Sequence, residues 1–432
     1  MSTKARIIST ADDRLVFVDV LRGIAVTAMI CYHTADAWIR QDVREGEIWA
    51  LIRSAGGLAA PLFLTLAGIS LGLKATVGLR RGDEYREVTR ACLIRGFQLV
   101  ILGYLLRLQM WLLDFGAIQN RKAWLPATLL LSAYLLAYLA IGRLSRLSYA
   151  QLAGLLALSG LLFSFGINRI IAFAPHRVEG ILRMDILQSI GVSLAVASVV
   201  GVSTDIFRKR PYLAMIIAVA IVCATPIIKR IMPGPLPEAL ASFFVYWEPD
   251  DGRKAIAFFP LFPWMAYLFA GITIGNYWER AKSRGRLASS VALFSAFGVL
   301  TAFVCYESHS IVFAFMTDYP IITQPLRVFY RIGAVLAVSG IAFLSSRSWI
   351  AKWLPFRTMG GASLLVYWVH LEFAYGVVSK PLYLRLEILE WWWGVVALTA
   401  LMTGLAWLRI RASGLTTWWS RSGYAIIRDE RS

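Results

Sequence analysis

One stretch near the start of the chain decides the fold: Arg14–Asp36, which reads RLVFVDVLRGIAVTAMICYHTAD. The stretch is apolar and long enough to cross a bilayer, because a helix that rises about 1.5 Å per residue needs about 20 residues to span the hydrocarbon. Within that length it carries the ionisable side chains of Asp19, Arg22 and His33. Such groups are costly inside a membrane unless they face a polar interior, so their presence indicates a functional site.

Helical spacing places these ionisable groups on nearly one side of the predicted helix. Asp19 and Arg22 are three residues apart and share a face, so they can pair. His33 lies eleven residues beyond Arg22, and Asp36 follows three residues later, within reach of the imidazole. A carboxylate on one ring nitrogen would fix the tautomer and the basicity of His33, which predicts a general base for a hydroxyl or an amine. The alternative is that His33 bridges helices at the membrane surface while Asp36 is solvated.

The composition places the chain among membrane proteins. Of its 432 residues, 58% are hydrophobic and 16% are charged, and the mean hydropathy is +0.63, whereas soluble domains are about 45–50% apolar and about 25% charged. The formal charge of +18 does not indicate nucleic-acid binding, because the basic residues lie mostly in short loops between apolar runs, as membrane topology requires. The four cysteines lie inside apolar runs with no metal-ligand spacing, so we expect neither a metal site nor a disulfide framework.

Twelve apolar runs are compatible with membrane spans. The run at 211–230 is the weakest because Pro226 and Lys229 interrupt its end, so eleven spans remain an alternative. Loops on the N-terminal side carry more basic residues than the opposite loops, which predicts both termini in the cytoplasm. The expected fold is therefore all-α, a polytopic transmembrane helix bundle of about 11–12 spans. We expect a cytoplasmic segment at 1–14, a helical membrane domain at 15–409 and a basic cytoplasmic tail at 410–432. The runs lie at about 15–38, 48–74, 91–113, 123–141, 149–171, 183–202, 211–230, 255–277, 287–305, 326–345, 358–378 and 390–409.

Further polar side chains fall inside the apolar runs or at their ends. His370 lies mid-span after the small residues 360–363, which permit close helix approach; a structural interhelical hydrogen bond competes with a functional role. Arginines suit phosphate and carboxylate ligands, although some, such as Arg107, are expected only to extend to the membrane interface. Asp185 and Gln188 are the polar partners that we expect to be buried. The arginines in question are Arg22, Arg95, Arg107, Arg327 and Arg331.

Two stretches combine proline with glycine inside predicted spans. Ala59–Ser70 contains Pro61 and Gly68, which a span tolerates where neighbouring helices satisfy the backbone. Phe259–Gly275 opens with two prolines followed by Trp264 and ends with a G-x-x-x-G contact face. The irregular entry of the second stretch indicates a cavity.

In this order, the motifs resemble a known enzyme family. They are similar to the heparan-alpha-glucosaminide N-acetyltransferase family, in particular its bacterial membrane relatives. The motifs are Asp19-x-x-Arg22-Gly23 with His33, the Ala-Pro-Leu-Phe-Leu run that ends at Gly68, the Phe-Pro-Trp264 run with its two glycines, and Tyr367-x-x-His370. The likeness extends over about residues 14–378. The opening motif is also similar to the broader acyltransferase-3 group of O-acyltransferases.

The resemblance implies an integral protein of the bacterial cytoplasmic membrane, embedded in lipid. It implies transfer of an acyl group, usually acetyl, from cytoplasmic acyl-CoA to a sugar-like hydroxyl or amine acceptor, possibly across the membrane. Because His33 matches the intramembrane histidine of such families, we expect it to act as a general base in a direct transfer rather than through an acyl-histidine intermediate. The remaining roles that the resemblance implies are orientation of His33 by Asp36, donor binding by Arg22, Arg95 and Arg331 with Asp19 holding Arg22, and acceptor binding by His370, Asp185, Gln188 and Trp264.

Two other functions compete with the enzyme. A secondary transporter of the major-facilitator kind also has about twelve spans with both ends in the cytoplasm, and the loop Gly78–Asp83 echoes a basic loop of that family. Against it, no two-fold repeat relates residues 1–210 to 211–432. A non-catalytic membrane scaffold is the third reading. The acceptor and the acyl chain length stay open, and the glycine-rich faces suit internal packing or a homodimer equally well.

Overall fold

The computed structural model describes residues 15–80, 85–114, 121–142, 147–173, 175–232, 238–246, 257–315, 320–347 and 355–428. Across these residues the regular elements are helices, and extended pairing is limited to two isolated bridges, Ile39 with Leu386 and Met184 with Ala257. The predicted all-α class is confirmed. The helices are α1 (Val16–Trp38), α2 (Gly46–Gly57), α3 (Ala59–Arg80), α4 (Tyr85–Asp114), α5 (Arg121–Gly142), α6 (Tyr149–Phe173), α7 (Pro175–Leu182), α8 (Ile186–Ala197), α9 (Ile206–Lys209), α10 (Tyr212–Ile231), α11 (Glu238–Phe244), α12 (Leu261–Ser283), α13 (Leu287–Phe315), α14 (Pro320–Arg347), α15 (Phe356–Gly361), α16 (Ser363–Tyr375) and α17 (Ile388–Arg428).

Each of the twelve predicted apolar runs is largely helical, but fewer are long, uninterrupted spans. Within the described residues, nine helices are long and apolar enough to cross a membrane. The run at 183–202 starts as a helix only at Ile186, the run at 255–277 becomes the deeply buried α12, and the run at 358–378 is broken at Ala362 between α15 and α16. The run at 211–230, predicted to be the weakest, has the highest mean hydropathy of the nine helices, 2.2, and its helix accommodates Pro226.

The chain divides into two compact units. One, called here the terminal unit, comprises the chain up to Leu62 together with the chain from Ala337 onward. The other, called here the central unit, runs from Phe63 to Leu336. Of the polar residues predicted from the sequence, His33, Asp36, Asp19, Arg22 and His370 belong to the terminal unit, while Arg95, Asp185, Gln188, Trp264 and Arg331 belong to the central unit.

In the terminal unit, α1 crosses α15 with the two backbones in contact. A methyl group built on Gly23 would lie 1.9 Å from the carbonyl oxygen of Phe356, and one built on Gly360 would lie 1.9 Å from the carbonyl oxygen of Asp19. Only glycine fits at such a separation, since backbone atoms cannot rotate away as a side chain can. The close approach predicted for the small residues at 360–363 is therefore confirmed.

The C-terminal end of α1 is fixed by hydrogen bonds from later parts of the terminal unit. The indole N–H of Trp38 donates to the carbonyl of Ala374 (3.0 Å), and that of Trp391 donates to the hydroxyl of Thr34 (3.0 Å); both bonds are buried. The backbone N–H of Leu386 also donates to the carbonyl of Trp38 (2.9 Å). Buried donors and acceptors that are satisfied in this way hold the last two turns of α1 in one position.

In the central unit, α3 and α12 pack through glycines. A methyl group on Gly68 would lie 1.9 Å from the carbonyl oxygen of Leu268, and one on Gly271 would lie 2.1 Å from that of Thr65. A methyl group on Gly275 would likewise meet the backbone of α3. The predicted G-x-x-x-G contact face is confirmed, and it packs on the other proline- and glycine-bearing stretch of the sequence.

The rest of the central unit extends from α4. Gly96 of α4 and Gly191 of α8 face each other so closely that a methyl group on either would lie within 2.7 Å of the other's carbonyl oxygen. On α5, Leu130 is fully buried, and the Tyr134 ring stacks on Tyr104 of α4 with 6.2 Å between ring centroids. These contacts give α4 a close partner on either side.

Candidate active site

The site in the terminal unit is built around a pair of histidines. Nδ1 of His33 on α1 lies 3.3 Å from Nε2 of His370 on α16, and the two rings meet edge to edge, with 5.3 Å between centroids and 28° between planes. The other ring nitrogen of His370, Nδ1, lies 3.0 Å from the carbonyl oxygen of Val366, one turn earlier on α16. His370 is fully buried whereas His33 is half-buried, so His33 is the member of the pair that a substrate can reach.

Asp36 occupies a different place from the one expected. Its carboxylate accepts a hydrogen bond from the Tyr375 hydroxyl (2.9 Å) and lies 4.0 Å from Nη1 of Arg44, whose Nη2 also donates to the Asp36 backbone carbonyl (2.6 Å). Among the described residues, the hydrogen-bond partner of the His33 imidazole is His370. The expected contact between Asp36 and His33 is therefore replaced by a contact through Tyr375, whose ring centroid lies 5.6 Å from that of His33. The physical reason is that α16 packs against α1 and brings the His370 imidazole to His33 and the Tyr375 phenol to Asp36.

Two aromatic rings lie beside His33. The rings of Tyr32 and Tyr375 have centroids 6.0 and 5.6 Å from the imidazole. Nearby, the guanidinium of Arg44 lies 5.3 Å from the ring centroid of Trp49 at the start of α2. A cation held over an aromatic face keeps its charge at a defined position. The rim of the site therefore offers aromatic faces, one carboxylate and one guanidinium, a combination that suits a polar, ring-shaped ligand.

The loop beyond α1 carries paired charges. Arg40 forms an ion pair with Asp42, and its Nη1 lies 3.4 Å from a carboxylate oxygen of Glu387. The hydrogen bond from Arg40 lowers the pKa of the Asp42 carboxyl below its ordinary value of 3.8 and raises the pKa of Arg40 in turn. Because the pair is exposed, it contributes little to stability.

The predicted pair between Asp19 and Arg22 is formed. Nη1 of Arg22 lies 2.7 Å from a carboxylate oxygen of Asp19, which is buried, while the Arg22 side chain keeps 27% of its exposure. The pair lies where α1 crosses α15. The distance along the helix axis from Arg22 to His33 is about 16 Å. It therefore occupies the opposite end of α1 from the histidine pair.

Asp185 and Gln188 have a structural role in the central unit. Asp185 is the N-cap of α8 and forms a capping box with Gln188, whose side-chain oxygen accepts from the Asp185 backbone N–H (3.1 Å). The Asp185 carboxylate also pairs with Nη2 of Arg107 at 2.9 Å. We expected Arg107 to extend to the interface, and instead it has a specific partner. The guanidiniums of Arg107 and Arg183 also lie 5.6 and 4.6 Å from the ring centroid of Phe258.

The other two arginines assigned to the donor differ in their surroundings. The guanidinium of Arg331 lies 5.8 Å from the ring centroid of Trp264, and the Trp264 ring in turn lies 5.6 Å from the buried ring of Tyr267. The side chain of Arg95 is exposed. Trp264 and Arg331 therefore form one cluster at the start of α12, where the double-proline entry was expected to line a cavity.

Sequence reasoning missed Tyr375 and Arg44. Tyr375 lies five residues beyond His370, on a different face of an ideal helix, and Arg44 lies in an exposed loop. Neither residue carries a sequence signal for these contacts, because both contacts depend on how α16 and the segment after α1 pack.

Nine long apolar helices among the described residues define the class: this is an integral, multi-pass membrane protein. Residues 14–316, well over half of the chain, match the family described as heparan-alpha-glucosaminide N-acetyltransferase, catalytic, and the chain belongs to that family of membrane acetyltransferases. No individually curated protein matches it. The match includes His33 and ends before His370.

Proposed function

We propose that this protein transfers an acyl group, most simply acetyl, from acyl-CoA to a hydroxyl or amine of a sugar-like acceptor, with His33 as the general base. The family supports a membrane acetyltransferase. The observation that carries the assignment to His33 is its position: a half-buried imidazole on a membrane-spanning helix, backed by a buried partner and flanked by the rings of Tyr32 and Tyr375.

In the proposed reaction, His33 takes the proton from the acceptor as the acceptor's oxygen or nitrogen attacks the acyl carbon. A new C–O or C–N bond forms, the C–S bond breaks, and the leaving thiolate recovers the proton from the imidazolium. The products are the acylated acceptor and free CoA. A positioned general base of this kind contributes a factor of about 10²–10⁴ to the rate.

The donor would be bound by arginines, which match phosphate geometry. The orientation predicted from the loop charges would place Arg22 at the cytoplasmic end of α1, about 16 Å along the helix from His33, where it would meet the phosphate end of a donor whose thioester reaches the histidine. For Arg95 and Arg331 as donor residues, and for Trp264, Asp185 and Gln188 as acceptor residues, the roles stay predictions from the sequence, and all five residues belong to the central unit.

The test is acyl-CoA binding and turnover by the purified protein in detergent, with an amino sugar as acceptor. We expect His33→Ala to bind acyl-CoA with unchanged Kd and to lose about 10²–10⁴-fold in turnover. His309→Ala, which removes another histidine from a membrane-spanning helix, is the matched control and should keep the wild-type rate. Absence of acyl-CoA binding near millimolar concentration would refute the proposal, and solute accumulation in vesicles without acyl-CoA would then favour a transporter.

A further inference from the structure

His370 lies in an environment that permits one protonation pattern. It is fully buried, and both of its ring nitrogens have partners within hydrogen-bond distance. The partner of Nδ1 is the carbonyl oxygen of Val366, which can only accept, so Nδ1 of His370 must carry the hydrogen. A neutral imidazole has a single N–H, and Nε2 of His370 is therefore an acceptor.

This pattern determines the state of His33. The hydrogen between the two rings must come from His33, because Nε2 of His370 has none to donate. Nδ1 of His33 is thus its N–H, and Nε2 of His33 carries the lone pair. The neutral form of His370 is favoured because a second positive charge would be buried and would lie beside the ring that becomes an imidazolium in the proposed reaction.

The position of His370 is itself fixed. The carbonyl of Ala374, one turn further along α16, accepts hydrogen bonds from the Trp38 indole and from the Ser379 hydroxyl, each at 3.0 Å. Because the Trp38 bond ties α16 to the end of α1, the two rings keep their separation, and the hydrogen bond between them does not depend on a flexible loop.

We propose that His370 is a positioning residue that holds His33 in the tautomer whose Nε2 is basic. The proposal rests on the proposed function. It differs from the sequence prediction that His370 contacts the acceptor, and it concerns a residue outside the family match, which ends at residue 316. The two roles make different kinetic predictions, because a residue that acts through the base changes kcat while a residue that contacts the acceptor changes KM.

Two substitutions of similar size separate the roles. In His370→Gln the side-chain oxygen reaches about as far as Nε2 and can still accept from His33. In His370→Asn the shorter amide can donate to the Val366 carbonyl but does not reach His33. We expect His370→Asn to lower kcat about 10–100-fold with the acceptor KM and the acyl-CoA Kd unchanged, and His370→Gln to stay within about 5-fold of wild type.

A second measurement reports the tautomer without relying on activity. The chain has only four histidines, so ¹⁵N-histidine labelling in lipid, with His33→Ala to assign the signals, resolves the two ring nitrogens of His33. We expect a protonated Nδ1 and a bare Nε2 in the wild type, and a mixture of tautomers in His370→Asn.

The outcomes separate the two proposals. If the wild-type protein does not turn over acyl-CoA, or if His33→Ala keeps full activity, the proposed function is refuted. If the wild type is active and His33→Ala is not, then a raised KM with normal kcat in His370→Asn, or equal activity of the Asn and Gln variants, refutes the positioning role alone. A wild-type His33 that carries its proton on Nε2 refutes it as well.

Discussion

The crossing of α1 and α15 allows one perturbation to be worked out from distances. In Gly360→Ala the new methyl carbon would lie 1.9 Å from the carbonyl oxygen of Asp19 and 3.0 Å from the backbone nitrogen of Gly23. An unstrained carbon–oxygen contact needs about 3.3 Å, so the two helices must separate by about 1.4 Å. The three nearest atoms all belong to the backbone, so rotation of a side chain cannot relieve the overlap.

The expected cost follows from that geometry. Overpacking in a well-packed core costs about 1–3 kcal/mol, occasionally more, and a clash with backbone atoms belongs at the upper end, about 3 kcal/mol. With about 2–4 °C lost per kcal/mol for a unit of this size, the melting temperature should fall by about 6–12 °C. Separation of the helices should also disturb the Asp19–Arg22 pair, which sits at the crossing.

The assay is thermal unfolding of the purified protein in detergent, followed by fluorescence. Gly404→Ala is the matched control, because Gly404 lies in α17 of the same unit, is exposed and has open space around its Cα. That variant should melt at or slightly above the wild-type temperature, since alanine has a higher helix propensity than glycine. If Gly360→Ala melts within about 2 °C of Gly404→Ala, the backbone contact does not determine the packing of α1, and the reasoning fails.

Two further predictions concern carboxylates of the central unit. Burial raises the pKa of Asp205, but hydrogen bonds from Arg208 and Tyr85 lower it more, so the pKa lies below its ordinary value of 3.8. The ionised carboxylate therefore stabilises the folded state at any pH above 3.8. That stabilisation is lost as the pH falls through the folded-state pKa. Asp205→Asn should therefore melt lower than wild type at pH 7, and the gap should close below about pH 4; a gap that does not change with pH contradicts this account. For the cap of α8, Asp185→Asn keeps an N-cap acceptor but loses the ion pair with Arg107, whereas Asp185→Ala loses both. The alanine variant should be less stable than the asparagine variant by about 1 kcal/mol in thermal unfolding, and equal stabilities would show that the cap is not needed.

The sequence predicted one of the two pairs expected along α1 and missed most of the contacts made between helices. Asp19 and Arg22 pair as expected because three residues of helix bring them together whatever the rest of the chain does. His33 and Asp36 have the same spacing, yet the carboxylate bonds to Tyr375 and the imidazole to His370. Spacing along the chain could not show that Tyr375 and His370 would replace the local contact, because both lie more than 330 residues later in the sequence.

The glycine motifs show the same division. G-x-x-x-G at Gly271 and the small residues beginning at Gly360 predicted that each helix has a face for close contact. Neither motif indicates which helix packs on that face. The structure pairs Gly271 with α3 and Gly360 with α1, so the motifs that carried the family resemblance pack on one another within each unit.

The sequence by itself determined that this chain is an all-α membrane protein whose first span carries ionisable side chains, a histidine among them. Those conclusions depend on hydropathy and on helical periodicity, which are local properties of the chain. Only the tertiary structure decided that His33 is backed by His370 rather than by Asp36 and that Asp185 caps a helix and binds Arg107. The reason is that a hydrogen bond between helices depends on their separation and rotation to within a fraction of an ångström, and packing over the whole unit sets both.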